Sequence, residues 1–142
     1  MFLVTGTLAT AQIAPIDKNG VAIRGYDVVA YFLGEVAQGF EGFSEKYNGN
    51  TYYFSTKKNE FFKKSPKQYL PQYEGYCAWA VATKKAKFPI NPETFHVVDG
   101  KLYLFYNAPF KGELFDTSIP WRTEATKLIN ESKKNWPTVK KS

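Results

Sequence analysis

Hydrophobic positions along the chain fall in short runs, each closed by a turn signal, and the period changes from one run to the next. Asp17-Lys18-Asn19-Gly20 reads as a turn, and the β-rich apolar run Val28 to Phe32 that follows reads as a strand or a short buried element. Between Lys46 and Ser55, Asn48-Gly49 lies among aromatic, β-favouring residues, which predicts a hairpin. Lys57 to Lys64 sets Phe61 and Phe62 among Lys and Glu and stops at Ser65-Pro66. That spacing predicts a two-turn helix with one aromatic face, then a short helical turn over Pro66 to Tyr69 before Pro71.

The stretch Gly75 to Lys85 is Ala-rich, opens after Gly and closes on two Lys that suit the negative end of a helix dipole, which predicts a buried helix. Phe95 to Val98 and Lys101 to Tyr106, joined by Asp99-Gly100, form the clearest hairpin. Pro120 suits a first helical turn, and Trp121, Ala125, Leu128 and Ile129 lay one apolar stripe on a last helix that Trp136-Pro137 ends. A basic tail over 138–142 follows, and the pattern shows no internal repeat and no dividing linker. The expected fold is α+β, a small antiparallel sheet of hairpins packed with three or more short helices.

Composition narrows the class. The chain has 142 residues, 44% hydrophobic and 23% charged, which excludes a disordered or collagen-like chain and fits one domain over 12–137. Aromatics reach 18%, so rings must serve both core and surface. The net charge of +6 favours acidic partners without choosing among them, and the Lys residues around Phe61 and Phe62 read as the solvated face of a helix, not a nucleic-acid surface. Met1 to Ala11 holds an apolar stretch ending in Ala9-Thr10-Ala11, which reads as a signal peptide or an apolar arm and predicts a periplasmic or secreted protein. No segment approaches the roughly 20 apolar residues of a membrane span.

One Cys, one His and one Met exclude an intramolecular disulfide and a zinc site of thiolates and imidazoles alone, so a metal would need oxygen ligands or a second chain in a homodimer. No hydrolase elbow, phosphate loop, dinucleotide fingerprint or zinc-protease motif is present. Cys77 in the first turn of the predicted helix is either a reactive thiolate or a small buried hydrophobe. His96 is either a solvent-side strand residue or the one imidazole ligand, and Asp27 either a capping acceptor or a carboxylate that orients Cys77 or ligates metal. Tyr26, Tyr73, Tyr76 and Tyr103 either line one pocket or serve as core and rim rings.

The order of motifs resembles the exported bacterial YHS-domain proteins. The likeness runs through Gly25-Tyr26-Asp27 to Phe32, Tyr47-Asn48-Gly49, Tyr52 to Ser55, Phe62 to Tyr69, Pro71 to Ala78, Asp99 to Leu104 and Trp136-Pro137. The resemblance implies a YHS-like domain, of a kind that elsewhere accompanies metal transport and metal-dependent enzymes. Its usual Cys in the Tyr-Phe-Cys-Ser segment is missing, because Tyr53-Phe54-Ser55 has none and Asn59 stands where a second is expected. Gly75-Tyr76-Cys77-Ala78 remains, at a position that resembles the one carrying selenocysteine in some relatives. The resemblance implies thiol redox or soft-metal chemistry at Cys77; the expectation drawn from it and from the residues together is a soft-metal site, such as one for copper, centred on Cys77, with Asp27 and His96 as further ligands and Tyr26, Tyr76 and Tyr103 shaping the pocket. The alternatives are thiol redox chemistry at Cys77 with a small-molecule thiol, or a protein-interaction domain.

Overall fold

A computed structural model of the protein describes residues 15–142; the expected signal peptide or arm lies outside the described residues. The carboxylate of Asp17 accepts the N–H groups of Asn19 and Val21 at 2.8 and 2.9 Å and closes the expected turn. A left-handed turn, Ile23-Arg24-Gly25, leads to Asp27, which caps helix α1, Val28–Phe32. The β-branched run is thus a helix and not a strand. Asp27 satisfies two of the helix's free N–H groups, and Val28, Val29, Ala30 and Tyr31 are all buried, so capping and burial override local propensity.

Strands β1, Phe40–Tyr47, and β2, Asn50–Phe54, pair antiparallel, with positive φ at both Asn48 and Gly49 as a tight hairpin requires. In helix α2, Asn59–Lys64, Phe62 is buried against Tyr52 and Phe54, whereas Phe61 is 59% exposed. The expected single aromatic face fails because adjacent helical residues point about 100° apart. The short helix α3, Pro66–Tyr69, forms as expected.

A second left-handed turn, Tyr73-Glu74-Gly75, leads to Cys77 and helix α4, Ala78–Thr83. Cys77 sits at the N-cap and not within the first turn. Strands β3, Asn91–Val98, and β4, Lys101–Phe105, form the Asp99-Gly100 hairpin. A third hairpin, β5, Asn107–Phe110, with β6, Glu113–Asp116, turns on Lys111-Gly112 and has no counterpart in the expected elements. The last helical region breaks at Glu124 into α5, Ser118–Thr123, and α6, Ala125–Lys140. Helix α6 runs through Pro137, whose missing N–H costs one bond, and Val139 is buried. The expected tail over 138–142 is therefore mostly the last turn of that helix, anchored by Lys87 Nζ on the carbonyl oxygens of Lys140 and Ser142.

The architecture is α+β: among the described residues, three separate two-stranded antiparallel sheets pack among six α-helices. It also repeats. Val21 bridges in parallel to Thr51 of β2, and Pro71 to Leu102 of β4. Each bridge is followed two residues later by a left-handed turn ending in Gly, then Tyr, a cap residue and a short helix. Each long hairpin carries an irregularity at the same place, between Phe40 and Ser44 in one and between Asn91 and Phe95 in the other. Phe62 of α2 lies over Tyr52 and Phe54 as Trp121 of α5 lies over Tyr103 and Phe105. The β5–β6 hairpin is the element that the second half adds. The sequence pattern shows no repeat because the shared plan lies in backbone geometry, and the two halves share side chains only at the turns and a few rings.

Candidate functional site

Asp27 is fully buried, and its carboxylate is saturated. One oxygen accepts the N–H groups of Val29 and Ala30 at 2.9 and 3.1 Å, the other the N–H and hydroxyl of Ser55 at 2.9 and 2.8 Å. It ties α1 to the end of β2. Cys77 is also fully buried, with Sγ 3.3 Å from Thr117 Oγ1. Because that hydroxyl donates to the Tyr106 carbonyl oxygen at 2.8 Å, it accepts from the thiol. His96 is half-buried, and its Nδ1 accepts from the indole N–H of buried Trp121 at 3.2 Å.

The structure does not bring Cys77, Asp27 and His96 together. Among the described residues no three His, Cys, Asp or Glu side chains gather as a ligand set. As folded, the three do not fit one copper centre, because Asp27 would have to release Ser55, His96 would have to release Trp121 or bind through Nε2, and Cys77 would have to open the core. The three candidate tyrosines also part company. Tyr103 is buried between Tyr73 and Trp121, with its phenol pushed up to about 12 by burial. Tyr76 is half-buried under the ammonium of Lys87, 5.5 Å from its ring centre.

Tyr26 lines a substantial cleft, of about 320 Å³, which joins the two halves. The left-handed turn of the first half supplies Arg24 and Tyr26, and the start of β3 and β5 supplies Asn91, Glu93 and Asn107 over a floor that includes Ile90 and Pro92. Tyr26 Oη donates to Glu93 Oε2 at 3.4 Å, and burial followed by the Glu93 charge raises its pKa, so the phenol stays a donor. The rim is pinned: Asn91 Oδ1 accepts from the Glu93 N–H at 2.9 Å, Asn91 Nδ2 donates to the Asn107 carbonyl oxygen at 3.3 Å, and Asn107 Nδ2 donates to Thr94 Oγ1 at 3.1 Å.

No family model, curated protein or solved structure matches the chain. The cleft is therefore read from its own chemistry. Ile23 and Arg24 hold φ of +54° and +52°, a conformation costing L-residues roughly 1–2 kcal/mol each. The matching turn places Glu74 3.8 Å from Lys140 Nζ, whereas no carboxylate of the described residues lies within ion-pair reach of Arg24. Tyr26 was expected in a pocket centred on Cys77 and lines this cleft instead, while Arg24, Glu93 and Asn107 were not among the expected residues. One signal was present: Arg24 is the single charge in the run Val21 to Gly25.

Proposed function

We propose that this chain is a small-molecule-binding module whose ligand sits in the cleft between the halves. An acidic group of the ligand meets Arg24, and a hydrogen-bond-donating group meets Glu93 beside Tyr26. The observation that carries this reading is Arg24, which has no ion-pair partner among the described residues, on a strained turn that lines the same cleft as Glu93. A cation and an anion in one small cavity suit a zwitterion of amino-acid size, and a volume near 320 Å³ admits one. The resemblance to YHS-domain proteins accords with a small binding module, though not with the cysteine-centred site it implies.

Calorimetric titration of the full chain with free amino acids, and with matching carboxylates that lack the amino group, tests this. Saturable one-to-one binding is expected for a subset of the amino acids. Arg24→Ala should weaken it by tenfold or more, the loss of one charge-assisted contact. Glu93→Gln should narrow the gap between amino acids and plain carboxylates. Absence of binding across the panel, or binding indifferent to Arg24→Ala, would overturn the reading.

A further inference from the structure

A second cavity, of about 460 Å³, is lined by α1, β3 and α5, and its walls include Tyr31, Phe32, Phe95, Val97, His96 and Arg122. Its polar groups are set by the core beneath. Trp121 is wholly buried, and its indole N–H needs an acceptor, which His96 Nδ1 supplies. A nitrogen that accepts in this way carries no proton, so neutral His96 holds its own on Nε2 and has one donor left. Arg122 Nη2 donates to the Phe95 carbonyl oxygen at 2.6 Å, which holds the guanidinium at the rim. Tyr31 has already given its hydroxyl to the Pro92 carbonyl oxygen at 2.6 Å, so it contributes only its ring.

No carboxylate lines this cavity, and none of the described residues forms an ion pair with Arg122. The result is a positive pole beside three aromatic rings. We propose that His96 and Arg122 form a second, independent site for aromatic carboxylates, with the ligand ring against Phe95, Phe32 and Tyr31 and its carboxylate between the guanidinium and His96 Nε2–H. The site does not rest on the cleft at Arg24.

An anion placed there favours protonated His96, even though the added proton, on Nδ1, ends its acceptance from the Trp121 N–H, so binding and protonation strengthen each other. The ionisable groups that α1, β4 and α5 bring around His96 are Tyr31, Tyr103 and Arg122. Burial raises the Tyr31 pKa far above its ordinary range and pushes Tyr103 up to about 12. Neither phenol titrates near neutrality, and Arg122 stays charged, which leaves His96 as the group that moves.

The probe is benzoate, with benzamide as its uncharged counterpart, added to the full untagged chain. The single His gives one imidazole Hε1 resonance to follow by proton NMR. Benzoate should bind saturably, raise the apparent pKa of His96 and bind more tightly as pH falls through that pKa; benzamide should bind at least tenfold more weakly. Arg122→Gln should weaken benzoate tenfold or more, leave benzamide unchanged and raise the ligand-free pKa of His96, while Arg24→Ala should leave benzoate binding intact. No binding of benzoate, equal binding of benzamide, or benzoate binding indifferent to Arg122→Gln would overturn the proposal.

Discussion

The two halves build one plan with different chemistry at equivalent points. Where the first half caps its short helix with Asp27, fully hydrogen-bonded within the half, the second uses Cys77, which makes no side-chain cap and binds Thr117 beyond the added hairpin. Where the first half closes on the four-residue α3, the second closes on the sixteen-residue α6. Helix α6 braces α4 and the turn before it: Asn135 Nδ2 donates to the Val81 and Ala82 carbonyl oxygens at 3.1 and 3.0 Å, and Ser132 Oγ, which donates to the Ile129 carbonyl oxygen, accepts from Tyr73 at 2.6 Å. The turn of the second half is spent on that bracing, with Glu74 near Lys140. The turn of the first half lines a cleft, and its Arg24 has no ion-pair partner among the described residues. The second half thus uses its turn to hold the fold, while the first half leaves its turn at the edge of a cleft.

The largest test of the equivalence is in the core. Trp121→Ala and Phe62→Ala each remove a buried ring from matching positions, and each should cost about 3–5 kcal/mol in denaturant unfolding, Trp121 the more because it also strips His96 of its partner. A cost for Phe62→Ala below about 1 kcal/mol would break the correspondence. Next come the caps. Asp27→Ala should cost about 3 kcal/mol, since it orphans the Ser55 and helix N–H groups, whereas Cys77→Ala should cost only about 1–2 kcal/mol. The Cys77 thiol should also resist aromatic disulfide reagents in the folded protein and react at a rate set by unfolding. Fast labelling of the native thiol would place Cys77 at an accessible site and revive the redox reading.

These caps show what was legible. Asn48-Gly49 and Asp99-Gly100 specify their hairpins through backbone needs that few residues meet, and both hairpins stand as read. The run Val28 to Phe32 was ambiguous because a short buried segment has no period, and the capping bonds that make it a helix reach Ser55 as well as its own turn. The β5–β6 hairpin turns on Lys111-Gly112, in which only the Gly announces the left-handed pair. Of the candidate site, Tyr26 was legible by its motif, but Glu93 and Asn107 reach the cleft only through tertiary packing.

The smallest effect is that of pH. Burial, then the Arg122 charge, lowers the pKa of His96 below its ordinary 6.5. The folded state therefore binds fewer protons than the unfolded one just below that value, and stability should fall modestly as pH drops from about 6.5 toward the folded pKa. His96→Gln should flatten that part of the profile, as followed by melting temperature against pH.

The most direct measurement pairs stability with binding in Arg24→Gly. Glycine adopts the left-handed turn without strain, so the variant should be more stable than wild type by about 1 kcal/mol and yet lose amino-acid binding by tenfold or more. Strain at Arg24 would then be the cost of a binding site. A variant that is less stable, or that binds as wild type does, would contradict the assignment of the cleft.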